Sequence, residues 1–319
     1  MGGREMVTKK DNKLIIGSRG SDLALWQANY VKREIRKANQ DITIEIKIIQ
    51  TKGDKILDVA LSKIGDKGLF TKELENKLLN DEIDIAVHSL KDLQTDIPKG
   101  LKLAAVTERH EVEDVLIARK KGIKIETLPE GAVVATGSLR RRAQLKHLRP
   151  DIKVVELRGN VPTRIEKFLK SDWDAIILAR AGVERLRLKK HISSIIDKGT
   201  ILPAVGQGAL GIEIKRNNTF AENSVKLIHN EDAYSAVLAE RAFLKKLEGG
   251  CQIPIGAYAE VKSNGLYLSG LVSSIEGDIT LRKTLRGSKK NPEKLGRNLA
   301  SDMIRAGAKE ILKEIYGNR

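Results

Sequence analysis

Residues 13–35 read KLIIGSRGSDLALWQANYVKREI, and a change of period inside them decides the fold. Ile15 and Ile16 close an apolar strand-like run, Gly17 to Gly20 turn, and Ser21 or Asp22 stands where a helix N-cap belongs. Leu23, Trp26 and Tyr30, with Ala28 on the flank, give the next segment an apolar helical face. The same order of apolar run, arginine-bearing turn and amphipathic helix returns three times: in GAVVATGSLRRRAQLKHL, with a strand over 132–135 and Ser138 as N-cap; in IKVVELRGNVPTRIEKFLK, where Pro162 suits a first helical turn; and in DWDAIILARAGVERLRL. A fifth run, IDIAVHSL, delivers His88, Ser89, Lys91 and Asp92 to the loop that follows. Strands alternating with helices predict βαβ units and a parallel sheet covered on both faces.

The chain changes grammar at Glu231. A helix, EDAYSAVLAERAFLKKL, is followed by grouped strands (YAEVK, LYLSGLVSS, TLRKTLRG) and a last helix opening at Asn291-Pro292, which predicts a small α+β domain. Residues 100–122 and 199–214 read as segments carrying the chain from a first α/β unit to a second and back. Two such crossings with a cleft between would permit hinge motion.

With 319 residues, several domains are expected. A net charge of +16 implies an anionic partner, whether nucleic acid, a membrane surface or an acidic small molecule, although solvated lysine accounts for part of it. Aromatics make up only 3%, too few for the stacking platforms of single-strand binders. One cysteine excludes an internal disulfide, and the scattered histidines form no local metal pair, so no metal site is expected. The opening MGGREMVTKKDNK lacks the apolar core of a secretory signal and no run approaches the length of a membrane span, making cytoplasm the expected location.

In open α/β sheets ligands bind beyond the carboxyl ends of the strands. Arg19, Lys91, Asp92, Arg140, Arg141, Arg158, Arg164 and Arg185 all fall on or near such turns, and arginine grips carboxylates or phosphates with a planar fork. The run Arg140-Arg141-Arg142 opens a helix, the end where cations are disfavoured, and a bound anion there would offset the conflict. A solvated helix face is the plainer reading of that run. Asp92 either caps its turn or acts within this basic company. Cys251, in EGGCQIPIG (248–256), is either a buried filler or an attachment point on a tight glycine loop. In KGLFTKELENKL (67–78), Phe70 suits a core and Lys67 is within reach of a ligand; Trp26 and Trp173 read as packing.

Taken together, GSRGSDLALWQ (17–27), TKGDKILD (51–58), KGLFTKELE (67–75), DIAVHSLKDL (84–93), TGSLRRRAQL (136–145), LRGNVPTR (157–164), DAIILARAGVERL (174–186), LPAVGQGALGIE (202–213) and EGGCQIPIGAYAE (248–260) resemble the porphobilinogen deaminases, or hydroxymethylbilane synthases, in order and over nearly the whole chain. The resemblance implies two periplasmic-binding-protein-like α/β lobes (1–108 with 203–226, and 109–202) and a C-terminal α+β domain (227–319). It implies a dipyrromethane cofactor on Cys251 through a thioether, and a transferase that adds four porphobilinogen units with release of ammonia before water frees hydroxymethylbilane. It assigns Asp92 the catalytic role of facing the pyrrole N–H as positive charge develops. Lys91, Ser21, Thr136, Ser138, Arg140, Arg141, Arg164 and Arg185 are the implied cofactor ligands, and Arg19, Arg158, Ser89, Lys67 and Phe70 the implied substrate contacts.

It further implies a monomer without nucleic-acid or membrane partners that hands its product to a uroporphyrinogen III synthase. Departures from the family pattern are Gly137, where a hydroxyl residue is usual, and Gln94, where proline is common. Arg142 and Arg180 add charge near the cleft motifs. A solute-binding protein on the same lobes would need no thiol tether. A nucleic-acid binder would set its basic residues in a stripe.

Overall fold

The computed structural model describes residues 12–55, 68–248 and 253–317. In chain order the strands are β1 (Lys13–Ser18), β2 (Thr43–Ile48), β3 (Ile85–Ser89), β4 (Leu101–Val106), β5 (Asp114–Ala118), β6 (Val133–Ala135), β7 (Lys153–Val155), β8 (Ala175–Ala179), β9 (Ser194–Ile196), β10 (Leu210–Lys215), β11 (Ile255–Lys262), β12 (Gly265–Ser273) and β13 (Thr280–Gly287). The helices are α1 (Asp22–Ala38), α2 (Lys52–Lys55), α3 (Lys72–Leu79), α4 (Leu139–Leu148), α5 (Val161–Lys170), α6 (Arg180–Arg185), α7 (Thr219–Lys226), α8 (Glu231–Lys246), α9 (Pro292–Met303) and α10 (Lys309–Gly317).

Three sheets organise them, in the orders β2-β1-β3-β10-β4, β7-β6-β8-β5-β9 and β11-β12-β13. The first two belong to two α/β lobes; the third, an antiparallel meander, packs on α8 and α9. The expected parallel sheets are in fact mixed. Strand β10 runs antiparallel to β3 and β4, and β5 runs antiparallel to β8 and β9, while β1 is parallel to β2 and β3, and β6 to β7 and β8. The reason is how the chain crosses. It leaves the first lobe at the carboxyl end of β4, so it enters the second from that same side and β5 must run backwards. The return through 200–209 reverses β10 in the same way.

The central strands β3, β5, β8 and β10 are buried nearly end to end, as strands covered on both faces must be. Apolar clusters lie on each face of both sheets: Leu14, Val31, Ile35 and Ile212 against Leu74, Leu78 and Leu101 in the first lobe, and Leu116, Val134 and Leu145 against Ile117, Phe168 and Ile176 in the second. Trp173 packs at the edge of the last of these, as expected.

Helix α1 departs from its expected face. Its buried residues are Gln27, Ala28, Val31 and Ile35, while Leu23, Trp26 and Tyr30 are half-buried. Trp26 and Tyr30 stack on each other 5.5 Å apart, and the Arg185 guanidinium lies 5.3 Å from the Trp26 ring. Ser21, rather than Asp22, is the N-cap, and β1 runs two residues beyond Ile16. Ser138 caps α4, and Pro162 sits in the first turn of α5.

Candidate active site

Because the strands that end at Ser18, Ser89, Ala135, Val155 and Ala179 are parallel within each lobe, the turns after them collect at one edge of each sheet. Beyond β3, a single 3₁₀ turn spans Leu90–Asp92. Its flanks, Leu90 and Leu93, are buried in a cluster with Val106, Ala209 and Val237, the last from α8 of the third domain. The backbone of Leu90 donates to Ala209 O at 3.1 Å, and Arg241 of α8 donates to Leu93 O at 2.9 Å and to Gln94 O. Anchored on both sides, the turn presents a half-buried Lys91 and an exposed Asp92.

The return crossing buttresses this turn closely. Gly206 and Gly208 both have positive φ (72° and 87°). A Cβ on Gly206 would meet Leu90, and one on Gly208 would strike the His110 carbonyl. That is the structural meaning of the motif VGQG.

Lys91 and Asp92 face a cationic neighbourhood. Burial lowers the Lys91 ammonium to about 8; Arg141 and Arg140 push the same way, against Asp92 and Asp114. Burial likewise lowers Arg164 to about 10, with Arg141 and Arg158 adding to the effect and Asp92 and Glu156 opposing it. Five cations (Lys91, Arg140, Arg141, Arg158, Arg164) thus share their fields with three carboxylates (Asp92, Asp114, Glu156), leaving a net charge of +2.

Arg140 and Arg141 are both buried and share one partner that the sequence did not suggest. Asp114 accepts from Arg140 Nη2 and Arg141 Nη2 at 2.8 Å each. Burial raises the Asp114 carboxyl, but the two guanidiniums outweigh it and hold the group well below the usual carboxylate range. So the conflict between a basic first turn and the helix dipole is met by the protein's own carboxylate. Arg142 instead pairs with Glu276 in the β12–β13 turn, and Arg180 with Glu184 at 3.0 Å; these are the two charges whose use the sequence left open.

Ser138 Oγ accepts the Arg141 N–H, and Thr136 Oγ1 accepts that of Ser138. A Cβ on Gly137 would lie 2.6 Å from the Leu157 carbonyl, so the backbone as it runs here excludes a hydroxyl side chain. Arg164 donates Nε to Gly159 O at 2.7 Å.

Arg185 is buried, which lowers it to about 10, and it bridges the lobes by donating to Gly208 O at 2.8 Å. Arg19 stacks on Phe70, 4.2 Å from the ring centroid, so two residues expected near the ligand meet each other, beside a pocket lined by Gly20, Ser21, Ile48 and Gln50. Phe70 is half-buried rather than core. Ser89 Oγ accepts from Gln27 Nε2 at 2.6 Å. Gln27 was missed; a polar residue on the apolar face of α1 was the available clue. Lys67 and Cys251 lie outside the described residues.

A second buried pair joins all three domains. Arg109, on the first crossing, makes a bidentate pair with Glu240 of α8 at 2.6 and 3.1 Å. Glu240 also accepts from the backbones of Gly206, on the return crossing, and Ala259, in β11, both at 2.7 Å.

Among the described residues no group of three or more His, Cys, Asp or Glu is arranged to hold a metal ion, and no helix is long and apolar enough to cross a membrane.

Comparison with known proteins decides what this cleft belongs to. Residues 14–223 match the family model "Porphobilinogen deaminase, dipyromethane cofactor binding domain", and residues 234–305 match "Porphobilinogen deaminase, C-terminal domain". The chain belongs to the porphobilinogen deaminase family. Its relatives include the porphobilinogen deaminases of Carboxydothermus hydrogenoformans (52% identical, covering 95% of this chain and 97% of the relative) and Chloroherpeton thalassium (48%, covering 95% and 97%). Such enzymes are transferases that make hydroxymethylbilane. Among solved structures, the methionine-binding protein MetQ is similar over 71% of this chain and 91% of its own, at 14% identity and a TM-score of 0.44.

Proposed function

We propose that the cleft performs the family's condensation with Asp92 as catalytic residue, and that Cys251 carries the dipyrromethane through a thioether. The carrying observation is the Leu90–Asp92 turn, which sets Asp92 among five cations that outnumber the three carboxylates near them, where the strand ends of the two lobes meet. The donor set fits the group. The Nε atoms of Arg140, Arg141 and Arg185 are buried and lack acceptors among the described residues, and carboxylates are the acceptors guanidinium favours. Gly256, shortly after Cys251, lies against Leu202 and Pro203, and Leu202 O accepts from Arg140. Gly256, five residues after Cys251, is therefore one backbone group away from Arg140.

When bound, the dipyrromethane supplies the free α-carbon on which the chain of rings grows. Lys91, Arg140, Arg141, Arg164 and Arg185, with Ser21, Thr136 and Ser138, would hold its carboxylates; Arg19, Arg158, Ser89, Lys67 and Phe70 would receive porphobilinogen. Each pyrrole carries an acetate and a propionate, so a six-ring chain crowds about twelve carboxylates together, and cations must balance them at low dielectric. Loss of ammonia from the substrate's aminomethyl group leaves positive charge on its pyrrole nitrogen. Asp92 stabilises that charge by facing the N–H, and it takes part in the proton transfers at the leaving amine and the attacked ring. No redox partner is needed.

The same reading divides the chain at 1–108 with 203–226, 109–202 and 227–319. It makes the enzyme a cytoplasmic monomer that passes its product to a uroporphyrinogen III synthase. Intact mass under denaturing conditions tests the tether: wild type should exceed its sequence mass by two deaminated porphobilinogen units and Cys251→Ser should not. Asp92→Asn should keep the increment and lose turnover by about 10²–10⁴-fold. An Asp92→Asn enzyme with near-normal turnover defeats the catalytic assignment.

A further inference from the structure

Asp114 is the first residue of β5, where the chain arrives from the first crossing, and it is fully buried. Its oxygens are divided in a definite way. Oδ2 accepts from Arg140, while Oδ1 accepts from Arg141 and, at 2.9 Å, from Gln207 Nε2. Gln207 lies on the return crossing and also donates to Val112 O at 2.7 Å. The remaining Nη atoms are fixed too: Arg140 Nη1 on Leu202 O at 2.7 Å and Arg141 Nη1 on Ile177 O at 3.0 Å. Each guanidinium is thus held along its Nη edge by the protein, with Nε buried and lacking an acceptor among the described residues. A pair evolved only to neutralise a buried charge gains nothing by leaving a charged N–H unmet, because such a group keeps its whole desolvation cost.

We infer that Asp114 is a positioning residue for ligand binding: it clamps Arg140 and Arg141 so that their Nε edges remain for ligand carboxylates, and Gln207 ties that orientation to the return crossing. The inference rests on the reading of the cleft as a polycarboxylate site. A second consequence is electrostatic. Asp114 is one of two carboxylates whose fields support the Lys91 ammonium against burial, Arg140 and Arg141; Asp92 is the other. Neutralising Asp114 therefore both loosens the two arginines and makes Lys91 shed its proton at lower pH.

The test compares purified wild type, Asp114→Asn and Gln207→Met. It measures the share of folded chains carrying the cofactor increment by denaturing mass, and the Lys91 titration by NMR of ¹³C-dimethylated lysines assigned with Lys91→Arg. Asp114→Asn should cut that share about threefold or more. It should also lower the Lys91 midpoint by about half a unit or more. Gln207→Met, which keeps the charge, should cut the share by a smaller factor and leave Lys91 in place. A folded Asp114→Asn with wild-type cofactor loading overturns the inference, as does one with an unmoved Lys91. Should Asp114→Asn not fold, wild-type loading in Gln207→Met overturns it instead. A wild type without the mass increment refutes the cofactor reading, and there the Lys91 titration still decides this one.

Discussion

Arg109→Met tests the joint between the three domains. The Glu240 carboxylate is wholly buried and accepts four hydrogen bonds, two from Arg109 and one each from the backbones of Gly206 and Ala259. Arg109 is itself almost covered, with 11% of its side chain exposed, so solvent cannot replace it at the carboxylate. Removing one partner of a buried ion pair costs about 3–5 kcal/mol, mostly because the other charge is stranded. Unfolding entropy near 2.1 cal/mol/K per residue makes about 0.7 kcal/mol/K for 319 residues, so Arg109→Met should lower Tm by roughly 4–7 °C if the chain unfolds as one unit. Calorimetry measures this directly.

The argument makes a sharper claim about sign. If the stranded carboxylate is the main cost, adding Glu240→Gln to Arg109→Met must restore part of the stability, because glutamine is neutral and its single Oε1 still accepts from one of Gly206 and Ala259, which bond different oxygens of Glu240. A drop below about 2 °C for the single variant refutes the reasoning. So does a double variant less stable than the single one.

Two further outcomes are expected. In a Cys251→Ser background, Lys91→Met should stabilise the protein most near neutral pH. The folded Lys91 value of about 8 lies below the unfolded value near 10.4, so below pH 8 both states are protonated and the native ammonium bears its full burial cost. Wild-type stability then rises from pH 8 toward 10, and the Tm gap should close over that window; a gap that widens with pH sinks the assignment. Gly208→Ala should cost about 1–3 kcal/mol, since φ is +87° and the new Cβ meets the His110 carbonyl. It should lower turnover as well, because the neighbouring Ala209 carbonyl holds Leu90 at the base of the Lys91–Asp92 turn. An unaltered kcat together with an unaltered melting temperature would show that this contact is not tight.

What was legible in the sequence follows from the range of the interactions. The strand–turn–helix alternation, the caps at Ser21 and Ser138 and the α+β grouping after Glu231 are local, and periodicity carries them. Strand order is not local. β10 joins β3 and β4 from more than a hundred residues away, and nothing in LGIEIK shows that it runs against its neighbours. Polar partners hide for a related reason. Asp114 follows Glu111 and Glu113 in an acidic stretch that reads as solvated surface, and Glu240 sits in a helix where one more charge looks ordinary; both are fully buried.

The arginines show the limit most clearly. Their placement at strand ends was visible from the sequence, and Arg164 does share its surroundings with Arg141, Arg158 and Asp92, while Arg19 lies on Phe70 and Arg185 against Trp26 and Gly208. Yet Arg109 and Arg241, from the same composition and similar surroundings, hold the crossings and the Lys91–Asp92 turn to α8. Both groups draw on the +16 charge, so bulk charge cannot tell cleft from hinge. What separates them is the acceptor. Arg109 has both Nη atoms on Glu240 and its Nε on Gln207 O, whereas Arg140, Arg141 and Arg185 each keep a buried Nε without one among the described residues. The acceptor distinguishes these three from Arg109 but does not by itself mark a binding surface, because Arg142, paired with Glu276, also has a buried Nε without an acceptor among the described residues, and Arg164 gives its Nε to Gly159 O.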